Sequence, residues 1–147
     1  MVASPAVRGD KVYVTTSDSS LLMVLDAKSG AVENKMGFDH WYVFSSPAIA
    51  GGTLYVGSTQ GKVTAVDLAS FKVAWNFETK AMKERGREYT KPDGSPNTDA
   101  IYGTDFYDDM VAGVKRIMTM GAVIGSPVIA GNVIYVGSAD GSLYALM

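Results

Sequence analysis

The sequence has no cysteine and a single histidine among its 147 residues. The lack of cysteine excludes a disulfide framework and thiolate metal sites. His40 has no second imidazole with which to build a metal site. Thirteen basic residues stand against fifteen acidic ones. The sequence therefore lacks the basic stripe that phosphate binding needs, and nucleic acid is not an expected partner.

Long apolar runs are also missing. Gly, Ser or a charged residue interrupts the apolar residues every few positions, so no stretch approaches the roughly 20 residues of a membrane-spanning helix. Residues 1–5 lack the basic start and apolar run of a secretory signal, and none is predicted in this stretch. With 47% apolar and only 19% charged residues, the chain is expected to fold around a core.

An internal repeat organises the chain. The Ser-Pro segment at 4–14 recurs at 46–56 and again at 126–136, each copy ending in Tyr-Val. The prolines of successive copies are 42 and 80 residues apart, so the second interval contains one unit plus a large insertion. A unit near 42 residues is typical of one four-stranded propeller blade.

Each unit contains short β-branched and aromatic segments separated by turn residues, which predicts strands. In the second unit the predicted strands are 47–50, 53–57, 62–67 and 72–77. The first unit has one extra residue before Asp26, so its central hairpin should be bulged or longer.

Turn residues recur at matching places in the units. Asp26 and Asp67 each precede a serine by three residues, a spacing at which the acid can cap a tight turn. In the third unit Asp140-Gly141 lies between two strand segments. This dipeptide predicts a two-residue hairpin in which both residues have positive φ.

Residues 126–146 resemble the blade pattern of the quinoprotein-like (PQQ-like) repeat β-propeller family. Family blades continue into an Ala-x-Asp-x-x-Thr-Gly-x-x-x-Trp motif. The stretch from Ala65 through Asp67 to Trp75 matches it, except that Ser70-Phe71 replaces Thr-Gly. The resemblance implies that Trp75 docks between neighbouring blades, whereas Asn34 occupies this position in the first unit.

The predicted fold is therefore all-β, a partial propeller of about three four-stranded antiparallel blades with a loop and short-helix insertion. The expected boundaries are a blade at 3–45, a blade at 46–78, the insertion at 79–118 and a partial blade at 119–147. A closed propeller has about 4 to 8 blades. We therefore expect either a fragment of a longer chain or a half-propeller that assembles with further blades, from the same or another chain or as a homo-oligomer.

The insertion combines seven basic and seven acidic residues. Residues 91–97 are predicted to form a loop, and the spacing of apolar residues predicts a helix over 106–117 with Asp105 as its N-cap. A calcium or magnesium site could be formed by its acids Asp99, Asp105, Asp108 and Asp109, but their spacing is not that of an EF-hand loop. The favoured interpretation is a solvated loop with capping acids, and no metal site is predicted. Insertions on repeat scaffolds often form a binding rim.

Two aromatic clusters are candidates for partner binding. His40 could serve as a general base or, with the aromatic residues after it, as a stacking corner for a ring-shaped ligand; the favoured alternative is a structural corner between blades. Asp26, Asp67, Trp75 and Gly141 are assigned structural roles. The candidate partner-binding residues are His40, Trp41, Tyr42, Tyr102, Phe106, Tyr107, Asp108 and Asp109.

Apart from a sensor domain released from a larger receptor or kinase, the family resemblance leaves two functional alternatives. The favoured one is a non-catalytic binding or scaffold module for a protein or glycan partner, with no catalytic residue and no evident cofactor. The other is part of a quinone-dependent dehydrogenase, for which the resemblance implies pyrroloquinoline quinone (PQQ) between a tryptophan and a vicinal disulfide, with Ca²⁺. The absence of cysteine departs from that pattern. The resemblance also implies a periplasmic or envelope location.

Overall fold

The computed structural model describes residues 3–103 and 106–147. Three antiparallel sheets follow one another along the chain, in the strand orders β1-β2-β3-β4, β5-β6-β7-β8 and β9-β10-β11. The first blade contains β1 (Ala6–Arg8), β2 (Lys11–Thr16), β3 (Leu21–Asp26) and β4 (Val32–Gly37); the second contains β5 (Ala48–Ala50), β6 (Thr53–Ser58), β7 (Lys62–Asp67) and β8 (Lys72–Glu78); the third contains β9 (Val128–Ala130), β10 (Val133–Gly137) and β11 (Leu143–Leu146).

The predicted all-β fold of partial-propeller blades is confirmed. Blades one and two have four strands, and blade three has three within the described residues. The first strand of each blade is its inner strand. Strand β1 lies beside β5, and β5 lies beside β9, as radial packing of the blades requires. The expectation of a longer first hairpin is also confirmed, because four residues separate β2 from β3 and three separate β6 from β7.

Apolar side chains from facing sheets fill the two spaces between blades. Leu22 and Val24 of blade one pack with Leu54 and Val56 of blade two, and all four are buried. On the other side of blade two, Val63 joins a second cluster with blade three. Alternation along each strand sends successive side chains to opposite faces, so blade two serves both clusters.

The serines of the Ser-Pro repeats connect the blades. The Ser4 N–H donates to the Ser46 hydroxyl at 2.9 Å, and the Ser46 N–H donates to the Ser126 hydroxyl at 3.0 Å. The same bond thus recurs at both junctions between blades, between residues at equivalent positions of the repeat.

The acid-capped turns form as predicted. Asp26 accepts hydrogen bonds from the N–H and hydroxyl of Ser29, and Asp67 does the same with Ser70. The serine hydroxyl, followed by the serine N–H, holds the pKa of each aspartate below its ordinary value of 3.8.

These two turns predict a defined pH dependence of stability. Because the folded pKa is lowered, the charged aspartates stabilise the fold above the ordinary pKa, and this contribution is lost as the pH falls through the lowered value. The double variant Asp26→Asn, Asp67→Asn should melt below wild type at neutral pH, with the gap narrowing between about pH 5 and pH 2. Melting followed by circular dichroism across this range checks it. A gap that does not change with pH would contradict the assignment.

The hairpin at Asp140-Gly141 differs from the prediction. Gly141 has a φ of 84°, but Asp140 does not have a positive φ, and Ser138 pairs with Ser142 across three loop residues. The two-residue prediction was therefore wrong. Asp140 accepts hydrogen bonds from the Ser142 N–H and the Tyr144 hydroxyl, which favour a longer loop with only its last residue left-handed.

Within its described residues, the insertion contains three helices where one was predicted. They are α1 (Lys80–Tyr89), α2 (Thr98–Tyr102) and α3 (Phe106–Thr119). The predicted helix at 106–117 corresponds to α3, while its proposed N-cap, Asp105, lies outside the described residues. We refer to residues 79–119 as the helical cap. No helix in the described ranges is long and apolar enough to cross a membrane.

Thr79, the first residue of the cap, is hydrogen-bonded to the residue that follows the cap's last one. Its buried hydroxyl donates to the Met120 carbonyl at 3.2 Å and accepts from the Met82 N–H, which makes it the N-cap of α1. A second link joins α1 to blade three, because the Lys80 N–H donates to the Tyr144 hydroxyl at 2.9 Å.

Candidate functional site

Trp41 anchors the segment between blades one and two to the helical cap. We call this segment, residues 38–47, linker one. Trp41 is 1% exposed and packs with Ile101, Ile117 and Met120. Its indole N–H donates to the Gly94 carbonyl at 2.8 Å. The cap is thus inserted after blade two but builds its core on the preceding linker.

The Gly94 carbonyl accepts a second hydrogen bond, from the Gln60 side-chain amide at 3.3 Å. Gln60 belongs to the hairpin between β6 and β7, so one carbonyl joins the cap loop to linker one and to blade two. The predicted loop at 91–97 is therefore held at a defined position.

A cavity of about 300 Å³ opens where linker one meets the cap. Four of the predicted partner-binding residues line it together: His40, Trp41, Tyr42 and Tyr102. Lys91 adds a cationic side chain at the same cavity. Cavities of this size with aromatic walls and a few polar groups are typical of binding sites for small molecules or single side chains.

Two tyrosines give the cavity its aromatic character. Tyr42 stacks on Phe44 with ring centroids 5.9 Å apart and planes 19° apart. Burial, with a further contribution from neighbouring Tyr42, raises the pKa of Tyr102. Tyr102 therefore remains a neutral phenol at physiological pH, able to donate or accept a hydrogen bond.

A second, more polar cavity of about 370 Å³ adjoins the first, since His40 and Ser95 line both. Asp39 and Asp93 contribute carboxylates to it. Hydrogen bonds from the hydroxyl and then the N–H of Ser95 lower the pKa of Asp93. The two cavities form one groove, which we call the cap groove, with an aromatic and an acidic half.

The turn at Asp39-His40 positions both halves of the cap groove. Both residues have positive φ, 48° and 64°, and the Trp41 N–H closes the turn on the Phe38 carbonyl at 2.9 Å. Two left-handed non-glycine residues in succession are strained. This turn places His40 at the boundary between the two cavities.

Replacing His40 by glycine should therefore stabilise the protein. Glycine adopts positive φ without a steric cost, so His40→Gly should raise the free energy of unfolding by about 0.5–1 kcal/mol. His40→Val, which is β-branched, should lower it by about 1–2 kcal/mol. Urea denaturation of both variants is the test. Equal effects of glycine and valine would show that the turn is not strained.

The remaining predicted site residues are less well placed for the groove. Asp109 lies beside Gly103, where an added Cβ would come within 2.9 Å of its Oδ1. The side chains of Phe106, Tyr107 and Asp108 lie outside the described residues. Sequence reasoning did not select Asp39, although it directly precedes His40. It also missed Lys91, Asp93 and Ser95, because only the fold brings these three residues to the groove beside His40.

The dehydrogenase alternative implies a quinone site with a tryptophan, a vicinal disulfide and Ca²⁺. The chain has no cysteine for a vicinal disulfide. Trp41 is buried against the cap, and Trp75 contacts Tyr55 at 5.9 Å while 37% of it stays exposed. Among the described residues, no group of three or more His, Cys, Asp or Glu is placed to hold a metal ion.

Successive antiparallel sheets with adjoining inner strands define a β-propeller, and the Ser-Pro repeat places it among PQQ-like repeat propellers. A family model described as outer membrane protein assembly factor BamB matches residues 1–146. The chain therefore belongs to this family of PQQ-like repeat β-propellers. No curated protein matches the sequence significantly.

Solved structures share the fold at low sequence identity. BamB from Moraxella catarrhalis is 17% identical with a TM-score of 0.60, over 97% of this chain and 32% of that one. A europium-containing methanol dehydrogenase is 18% identical with a TM-score of 0.60, over 92% and 25%. A quinohemoprotein alcohol dehydrogenase from Comamonas testosteroni is 19% identical with a TM-score of 0.57, over 92% and 17%. The chain thus spans a third or less of each of these proteins.

Proposed function

We propose that this chain is a non-catalytic scaffold module that binds a protein partner through the cap groove, in the periplasm or cell envelope. The observation that carries the proposal is the convergence of His40, Tyr42 and Tyr102 on one cavity. Tyr42 is exposed and Tyr102 is half-buried. Tyrosines that packing holds in place offer contact area at low entropic cost, and tyrosine is enriched where proteins bind each other.

The partner we propose is a component of outer-membrane protein assembly. The matching family model carries that description, and a BamB structure shares the fold. The groove suits a partner segment with an aromatic or apolar side chain for one half and a cationic group for the other, because Asp39 and Asp93 line the second cavity.

Binding to purified outer-membrane assembly proteins, measured by biolayer interferometry, tests the proposal. Tyr42→Ala should weaken saturable binding by about tenfold or more, the loss expected for a contact worth about 1.4 kcal/mol. The matched control is Trp75→Ala, since Tyr42 and Trp75 are 39% and 37% exposed and Trp75 lies on β8 of blade two, outside the lining of the groove. Equal loss in both variants, or no binding by wild type, contradicts the proposal.

Two further measurements separate the alternatives. PQQ with Ca²⁺ should leave the absorbance and melting temperature unchanged; a saturable shift would favour the dehydrogenase. Binding of cell-wall saccharides that Tyr42→Ala abolishes would instead make the groove a glycan site.

A further inference from the structure

A third cavity, of about 790 Å³, is lined by α1 and by the loop that follows it. Three exposed cations, four residues apart in the sequence, contribute to its lining: Lys83, Arg87 and Lys91. Among the described residues that line it, the one acid is Glu78. We call this cavity the basic cavity.

The charges of the basic cavity are not neutralised by the protein. Glu78 pairs with Lys62 of β7 at 3.5 Å, and Lys62 does not line the cavity. In the ranges that the structure describes, no ion pair involves Lys83, Arg87 or Lys91. The cavity therefore has an excess of about three positive charges.

Helix α1 separates its paired charges from its unpaired ones. Its two acids, Glu84 and Glu88, pair with Lys80 at 3.9 Å and with Arg85 at 3.3 Å. None of these four residues lines the basic cavity. The balance of basic and acidic residues in the insertion thus conceals a helix with one cationic face, because residues three and four apart share a face.

Hydrogen-bonding groups accompany the cations. The Lys83 ammonium lies 5.7 Å from the centre of the Phe77 ring, a contact that favours this position without cancelling the charge. Thr90 and Asn97 also line the cavity. The Thr90 hydroxyl is buried and has no hydrogen-bond partner among the described residues. Ammonium, guanidinium, hydroxyl and amide groups together suit carboxylates, which only accept hydrogen bonds.

The spacing of the cations indicates the shape of the ligand. Four residues of an α-helix rise by about 6 Å, so the row from Lys83 through Arg87 to Lys91 is about 12 Å long. In an extended peptide, alternate residues lie on one face about 6.6 Å apart. Acidic residues at alternate positions of such a peptide therefore match the row, which is too long for a single small anion.

We propose that the basic cavity binds an extended acidic segment of a partner protein, with alternate Asp or Glu side chains against Lys83, Arg87 and Lys91. Lys91 also lines the cap groove, so the two sites adjoin each other. The inference goes beyond the function proposed for the cap groove and does not depend on it, because it rests on the charges of α1 and the loop.

Fluorescence anisotropy with a labelled synthetic peptide, in which single serines separate three glutamates, tests the proposal at low salt. Wild type should bind the peptide saturably. The double variant Lys83→Gln, Arg87→Gln should weaken binding by about tenfold or more, the loss expected from two exposed charge contacts. The matched control is Lys28→Gln, Lys35→Gln, which removes the same charge from exposed positions of blade one and should leave the affinity unchanged within about twofold.

Further variants separate a specific site from a general attraction of charges. Lys83→Arg, Arg87→Lys keeps both charges and should retain binding. A peptide of the same composition with its three glutamates in succession should bind more weakly. Tyr42→Ala should leave peptide binding unchanged, so a failure of the cap-groove proposal can be told apart from a failure of this one.

Three results would overturn the proposal. One is the absence of saturable peptide binding by wild type at low salt, including the case in which vesicles of anionic phospholipid bind instead. The second is an equal loss of affinity in the two glutamine double variants, with circular dichroism spectra that match wild type. The third is equal affinity for the two peptides, which would show that the spacing of the cations does not select the ligand.

Discussion

Truncating Trp41 to alanine should lower the free energy of unfolding of the helical cap by about 3–5 kcal/mol. The indole is 1% exposed and packs with Ile101, Ile117 and Met120, so its removal leaves a large cavity. The Gly94 carbonyl would also lose the stronger of its two hydrogen bonds. Because Trp41 is the residue of linker one that belongs to the buried cluster of the cap, we expect the loss to be local.

Hydrogen exchange followed by mass spectrometry is the suitable measurement. Amides at 80–119 should exchange faster in Trp41→Ala, while those of the blade strands keep their protection. Trp75→Ala is the matched control, because it removes only a partly exposed ring and a contact with Tyr55, worth about 1 kcal/mol. Comparable destabilisation by both variants would show that Trp41 does not anchor the cap.

Adding one methyl group at Gly57 should destabilise the protein by about 1–3 kcal/mol. A Cβ at this position would lie 2.3 Å from Cγ1 and 2.9 Å from the backbone oxygen of Val123. Val123 is buried in the cluster between blades two and three. The two blades would have to separate locally to admit the alanine.

The repeat supplies a control for Gly57→Ala at the equivalent position in blade three. A Cβ at Gly137 would have no atom within 4 Å, so Gly137→Ala should be neutral or stabilise by about 0.5 kcal/mol. Both variants are best compared by urea denaturation. If the two alanines have the same effect, the close approach of Val123 to Gly57 is not present in solution.

The blades could be predicted because their signals are local. Strands β3 and β7 begin and end where the turn residues and β-branched segments indicate, and the capped turns follow from an aspartate and a serine three residues apart. The hairpin at Gly141 was mispredicted, because the hydrogen bonds of Asp140 outweigh the preference of the dipeptide.

The cap and its groove could not be predicted, because they depend on contacts between residues that are far apart in the sequence. Trp41 is buried by residues more than fifty positions away, so nothing beside it in the chain indicates its role. Helix α1 has only Met82 and Gly86 buried, so it lacks the apolar stripe that predicts a helix, and Thr79 as N-cap was the available signal. The positive φ of His40 is imposed by the turn and by the packing of the next residue.

The bond between Thr79 and Met120 also bears on how this scaffold can change. It holds together the two ends of the cap, so the intervening forty residues leave and rejoin the propeller at one place. Closing a loop at such a neck costs little more for a long segment than for a short one. The connection between Thr79 and Met120 could therefore accommodate segments of other lengths without disturbing the blades, provided that the replacement segment also buries Trp41.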